Sequence, residues 1–289
     1  MADDENLFGE LPVQLTPQPI LEYGLGRVWT QHKAVLIAKY IYLFTIITRH
    51  GAYIDGFAAP KEDLSAGSWA AKAVAETEPR RLRELFFCEL KPKRAALIDE
   101  MIAEQPDREK RHYEVLQGDF NVRVHDILGS GLIRPKTATF CLIDQFSIEC
   151  HWSTLQALAD YKPAGERKIE LFYFLATGWL GRTLDAQKRN LDRPALWWGD
   201  EGWQNLIGVN GDKVAIRMCQ RFRDELGYRF VKPYPIWERD KGKGRVMFHM
   251  IHASDHPAAH GLMQRAHRNV TQAPETHEQL VMDLQHIEP

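Results

Sequence analysis

The chain has 289 residues, 44% of them hydrophobic and 26% charged, a composition that excludes a disulfide-stapled mini-domain and argues against global disorder. Its 37 Lys and Arg nearly balance its 39 Asp and Glu, for a formal net charge of −2, so no strong global field draws it to nucleic acid. The four cysteines (Cys88, Cys141, Cys150 and Cys219) lie far apart with no CxxC pair, which argues against a zinc site and a disulfide framework.

The N-terminus, MADDENLFGELP, is acidic and lacks the charged-then-apolar pattern of a signal peptide, so a cytoplasmic location is expected. Residues 1–29 read as an extended arm. The apolar run from Ala34 to Ile47, interrupted by Lys39 and Tyr40, falls short of the ~20 residues of a membrane span. Its spacing predicts instead a helix over 30–50, capped by Thr30, with Val35, Ala38, Ile41 and Tyr42 on one face.

Ala52-Tyr53-Ile54-Asp55 then reads as a strand running into a tight turn, Gly56-Phe57-Ala58-Ala59-Pro60, and the Ala-rich stretch 69–76 as a helix. A second strand, Leu85 to Cys88, ends at Glu89 and is followed by a helix over 93–104. A third, Tyr113 to Leu116, leads to Gly118-Asp119, and Asp126 to Leu128 lie near the end of a short helix. A fourth strand, Thr139 to Ile143, ends at Asp144, with a helix over 152–160 and a fifth strand over 169–175. Continuous apolar strands alternating with helices imply a parallel sheet covered on both faces. Residues 178–211, with Trp179, Trp197, Trp198 and Trp203, read as a helical insertion over one end of the sheet, a core-packing cap or a substrate lid. Residues 228–237 and 245–252, joined by Lys241-Gly242-Lys243-Gly244, read as an antiparallel hairpin at the sheet edge. The tail, 271–289, is polar.

In open α/β sheets ligands bind beyond the carboxyl ends of the strands. Four acids sit at or near such ends here: Asp55, Glu89, Asp119 and Asp144. A carboxylate after the second strand can accept from both hydroxyls of a ribose, which places Glu89 there. One after the third strand can accept from an adenine amine, which places Asp119. Asp55 can meet a cationic group, and the Gly56 turn lets backbone approach the ligand. This pattern alone does not separate NAD from S-adenosylmethionine, although the absence of GxGxxG weakens NAD and the absence of a Walker motif argues against a nucleoside triphosphatase.

Trp29-Thr30-Gln31-His32-Lys33, Tyr53-Ile54-Asp55-Gly56-Phe57-Ala58, Gly67-Ser68, Phe87-Cys88-Glu89, Gly118-Asp119, Ile143-Asp144 and the late Ala253-Ser254-Asp255-His256-Pro257 and Gly261-Leu262-Met263 resemble the three-Cys-motif partner family. The likeness runs over roughly residues 29–265. It implies a Rossmann-like class I methyltransferase fold over 30–270: a mostly parallel seven-stranded sheet with a C-terminal antiparallel hairpin. It also implies S-adenosyl-L-methionine as cofactor, held by Asp55, Gly56, Phe57, Ala58, Glu89 and Asp119. Asp144, Gln145 and Phe146 become the candidate catalytic loop, with nucleic acid or a nucleotide as methyl acceptor and a three-Cys-motif protein encoded nearby as a possible partner. Two departures stand out. Ala59 and Lys61 replace glycines of the family's turn, and Gln145 replaces a proline after Asp144. These changes raise the alternative of a catalytically degenerate fold that binds protein or nucleic acid.

Each reading has a structural competitor. Strand-end acids often cap helices. Phe146 is a base-stacking candidate or a core residue. His252, His256 and His260 are spaced as a metal-binding helix face would be, but Pro257 argues against a helix there, and no metal site is expected. The basic stretches Arg80-Arg81-Leu82-Arg83, Lys91-Pro92-Lys93-Arg94 and 241–245 read singly as solvated surface. Cys88 and Cys141 read as inert core residues, and no GxSxG elbow supports a serine hydrolase.

Overall fold

The computed structural model describes residues 28–60, 69–106, 108–187, 191–239 and 241–271. Most of the expected arm, the polar tail, Lys61 and the Gly67-Ser68 motif lie outside the described residues. The chain begins with helix α1 (Val28–Thr48), followed by strand β1 (Gly51–Asp55), helix α2 (Ala70–Ala75), β2 (Leu82–Glu89), α3 (Pro92–Ala103), β3 (His112–Gln117), α4 (Phe120–Gly129), β4 (Thr139–Ile143), α5 (Trp152–Asp160) and β5 (Glu170–Leu175). Two short helices, α6 (Leu180–Ala186) and α7 (Asp192–Trp198), and a 3-10 turn (Glu201–Leu206) form the insertion. Helix α8 (Gly211–Asp224), strands β6 (Phe230–Arg239) and β7 (Lys243–Ser254) and helix α9 (Pro257–Thr271) complete the fold.

The seven strands form one sheet in the order β3-β2-β1-β4-β5-β7-β6. Strands β1 to β5 are parallel, and β7 runs antiparallel to both β5 and β6. This is the Rossmann-like sheet of class I methyltransferases that the resemblance implies. β1, β4 and β5 are buried along their whole length, as their uninterrupted apolar runs require. Alternate side chains feed two cores. Ile54, Phe86, Cys141, Ile143 and Tyr173 pack under α4, α5, the insertion and α8; Tyr53, Phe87, Phe140, Leu142 and Phe172 pack under α1, α2, α3 and α9.

The order reverses between β1 and β4, so the carboxyl ends of these two strands flank the topological switch point where open sheets bind ligands. Asp55 ends β1 opposite Leu142 of β4, and Asp144 follows β4 directly.

Several expectations need correction. α1 starts at Val28, so Thr30 lies inside the helix and is not its cap. Its core stripe is Leu36, Ile37, Tyr40, Ile41 and Phe44; of the expected face only Ile41 belongs to it, Ala38 and Tyr42 are half-buried and Val35 is 40% exposed. The helix is apolar on most sides, so spacing alone does not choose the stripe; packing against α2, α9 and β6 does. Pro257 begins α9 rather than excluding a helix, because the first helical position has no use for an N–H. His252 lies in β7, where it contacts Glu170, and His260 lies in α9. No group of three or more metal-capable side chains exists among the described residues. Nor is any described helix long and apolar enough to cross a membrane.

The insertion is a packed cap. Trp197, Trp198 and Trp203 are buried, and Trp197 Nε1 donates to the Tyr173 hydroxyl at 2.6 Å. The Arg221 guanidinium of α8 lies between Trp152 and Trp198, 3.9 and 4.3 Å from their ring centres. Trp197→Ala is expected to cost about 3–5 kcal/mol of unfolding free energy, read by urea denaturation, through the cavity it leaves.

Candidate functional site

A cleft of about 750 Å³ opens at the switch point, within the size range of small-molecule sites. Its walls come from the turn after β1, the ends of β2, β3 and β4, and Lys33 of α1. Of the sequence-predicted site residues, Asp55, Gly56, Phe57, Ala58, Glu89, Asp119, Asp144 and Phe146 all line it. Gln145 does not.

Asp55 is 1% exposed. Oδ1 accepts from the Phe57 N–H at 3.1 Å and Oδ2 from the Tyr53 hydroxyl at 2.9 Å. Burial raises its carboxyl to about 7, the nearby Asp144 adds to the rise, and the two hydrogen bonds and Lys33 oppose it. Asp55 is therefore poised to change charge near neutrality, and a cation placed beside it would hold it ionised.

Glu89 and Asp119 each use one oxygen locally. Glu89 Oε1 accepts from the Lys91 N–H at 3.0 Å. Asp119 caps α4 through Oδ1, which accepts from the Asn121 N–H at 2.9 Å. The capping interpretation is thus correct for Asp119, but it uses half the carboxylate. Among the described residues, Glu89 Oε2 and Asp119 Oδ2 accept no hydrogen bond, and both side chains line the cleft. Such paired acceptors suit the hydroxyls and amines of a nucleoside.

The turn after β1 is held from outside. Trp69 Nε1 donates to the Ala58 carbonyl at 2.6 Å, and Arg94 donates to the Ala59 and Pro60 carbonyls at 3.3 and 2.7 Å. Ala59 is buried and does not adopt a left-handed conformation, so its methyl group imposes no strain there. Gly56 lines the cleft and also has a packing role. A Cβ on it would come within 2.7 Å of the Phe120 ring, so the glycine makes room for the first residue of α4. Gly118, with φ of +143°, occupies backbone space that only glycine adopts readily.

After β4 the structure departs further from the sequence reading. Gln145 is fully buried: Nε2 donates to the Phe174 carbonyl at 3.0 Å and Oε1 accepts from the Cys150 N–H at 2.8 Å. Those bonds fix the loop in place of a proline ring. Phe146 is 62% exposed at the cleft rim, tilted against Trp179 at 6.0 Å between ring centres, so it is not a core residue. Asn121 ties this loop to α4: its Nδ2 donates to the Glu149 carbonyl at 2.9 Å, and its Oδ1 accepts from the His151 N–H at 2.8 Å.

Lys33 belongs to the Trp29–Lys33 motif of the resemblance, but the sequence reading assigns it no role at the site. It is 2% exposed, and Nζ lies 2.7 and 2.5 Å from the two oxygens of Asp144. The Phe174 and Phe248 rings stand 5.4 and 5.9 Å from it. A lone lysine one turn before Leu36 and Ile37, on the helix's core stripe, was the available signal. The hairpin turn over 241–244 projects from the same end of the sheet, since His249, not Lys243, pairs with the end of β5. None of its residues lines the cleft; from the insertion, Arg193 does, paired with Glu149 at 2.9 Å.

No protein-family model matches the chain, and no curated protein sequence matches it. Among solved structures, TYW2 of M. jannaschii in complex with AdoMet overlaps 81% of this chain and 78% of its own length, at 10% identity and a TM-score of 0.38. TYW2 of P. horikoshii in complex with MeSAdo overlaps 81% of this chain and 64% of its own, at 11% identity and a TM-score of 0.38. Cofactor-bound Rv0187 from MTB overlaps 75% and 78%, at 13% identity and a TM-score of 0.41. The fold rests on the strand order and directions given above, and the site on its own geometry.

The raised Asp55 carboxyl has a consequence for stability. Its folded value of about 7 exceeds the ordinary value of 3.8, so the folded state keeps a proton that the unfolded state loses between these limits. Stability therefore falls as pH rises through that window, and the full penalty is present above it. Asp55→Asn is expected to stabilise the ligand-free protein by roughly 2–4 kcal/mol at pH 8, shrinking toward pH 4, read by urea denaturation at both pH values.

Proposed function

We propose that the chain binds S-adenosylmethionine in the switch-point cleft and transfers its methyl group to a nucleic acid base or a nucleotide. The observation that carries this reading is the set of three cleft carboxylates after β1, β2 and β3: a buried Asp55 that favours a cationic neighbour, and Glu89 and Asp119, each presenting an uncommitted oxygen. Asp55 receives the ammonium of the methionine moiety, Glu89 the ribose hydroxyls and Asp119 the adenine amine. S-adenosylmethionine, when bound, supplies an electrophilic methyl group on a sulfonium.

The acceptor side belongs to Asp144 and Phe146. Phe146 offers an exposed aromatic face beside the Asp144 carboxylate, a pairing suited to stacking a planar ring while its N–H or O–H donates to the acid. The walls of the cleft exclude water and align the two reactants, which is where a methyl transfer gains most of its rate. The resemblance to the three-Cys-motif partner family supports the same assignment. Against the degenerate alternative, Ala59 adopts no left-handed backbone and the Gln145 side chain braces the loop after β4.

Calorimetric titration of S-adenosylhomocysteine tests the reading. Binding is expected to weaken at least about tenfold in both Asp55→Asn and Glu89→Gln. The wild-type affinity should rise with pH up to about 7, where Asp55 ionises on its own, and the slope should persist in Glu89→Gln but vanish in Asp55→Asn. No binding by the wild type at millimolar ligand would overturn the proposal. With binding in hand, transfer from methyl-labelled cofactor to RNA, DNA and free nucleotides identifies the acceptor.

A further inference from the structure

Among the described residues, Lys33 is the one in the cleft whose charge is already answered by a residue assigned to the acceptor. Both Asp144 oxygens are within 2.7 Å of its ammonium, so in the ligand-free protein the acceptor's carboxylate is masked. Phe174 and Phe248 flank the ammonium with ring faces and offer it no strong acceptor. Lys33 nonetheless lines the cleft and lies close enough to Asp55 to oppose its protonation.

A methionine moiety with its ammonium on Asp55 carries a carboxylate on the same carbon. That carboxylate must settle beside Asp55, in a neighbourhood that already holds Asp144, and it needs a donor. The backbone of the turn does not supply one over residues 56–58. The Gly56 N–H donates to the Leu142 carbonyl, the Phe57 N–H to Asp55 and the Ala58 N–H to the Cys88 carbonyl. Lys33 lines the cleft, is bonded to Asp144 after β4, and is the cation that acts on Asp55 at the end of β1.

Resting on the cofactor assignment above, we propose that Lys33 couples the two halves of the cleft: the carboxylate of the methionine moiety competes with Asp144 for its ammonium. Cofactor binding thereby frees Asp144 to receive the N–H or O–H of the acceptor. An ordered reaction follows, with cofactor entering first. Before it enters, Asp144 is occupied; after it enters, Asp144 is an ionised carboxylate in a half-dry site, which favours a neutral acceptor that carries a donor.

The coupling makes a prediction opposite to simple electrostatics. Removing the negative charge of Asp144 would ordinarily weaken a ligand bearing an ammonium. If Asp144 competes for Lys33, Asp144→Asn instead tightens S-adenosylhomocysteine binding, by about fivefold or more. Lys33→Met weakens it by about tenfold or more. The double variant Lys33→Met/Asp144→Asn, which leaves no unpaired buried charge, should bind as weakly as Lys33→Met. The decarboxylated analogue of S-adenosylhomocysteine should bind wild type and Asp144→Asn within about twofold of each other.

Calorimetry on the four proteins with both ligands, with thermal melts confirming folding, reads all of these. Unchanged or weaker S-adenosylhomocysteine binding in Asp144→Asn, or a gain that survives without Lys33, would overturn the coupling while leaving the cofactor site standing. A wild-type protein that binds neither ligand would remove the cofactor assignment and the coupling together.

Discussion

Everything at this site follows from placing carboxylates at the ends of strands that are buried on both faces. β1 and β4 are central strands with no exposed residue, and the acids that end them are carried inward with them. An isolated charge there would be costly, so each acid has an answer. Asp55 has a tyrosine hydroxyl, a backbone N–H and a carboxyl shifted toward neutrality. Asp144 has Lys33. The sheet order sets the rest, because the reversal between β1 and β4 opens a cleft where these two answers meet.

Hydrogen bonds hold the loops that wall the cleft. The turn after β1 is pinned through its carbonyls by Trp69 and Arg94, and the loop after β4 through Gln145 and Asn121. The tryptophan-rich insertion adds a packed cap whose indoles are spent on the core, with Arg221 clasped between two of them. Among the described residues, packing leaves few polar atoms of the cleft uncommitted, notably Glu89 Oε2 and Asp119 Oδ2.

Much of this was legible in the sequence. The central parallel strands β1, β4 and β5 betray themselves as apolar runs because burial on both faces removes alternation, and β4 and α5 fall at the residues their runs predict. Asp55, Glu89 and Asp144 stand out because each closes such a run, and Asp119 follows β3 by two residues. What was hidden depended on partners distant in the chain. Lys33 and Asp144 are 111 residues apart, and nothing local shows that they touch. Gln145 looked like a lost proline until its amide proved to bridge Phe174 and Cys150. Phe146 resembled core by composition, yet its loop turns it outward. The core stripe of α1 could not be chosen because nearly every face of the helix is apolar, and α9 was obscured by a proline that in fact starts it.

The central claim is that Asp55 takes up the charge of an ammonium in the cleft, and proton counting tests it most directly. S-adenosylhomocysteine binding is measured calorimetrically at pH 6.5 in buffers of different ionisation enthalpy. Asp55, largely protonated in the ligand-free protein at that pH, must ionise on binding, so release of roughly half a proton or more per ligand is predicted, and none from Asp55→Asn. Binding by the wild type without proton release, or with the same release in Asp55→Asn, would contradict the account.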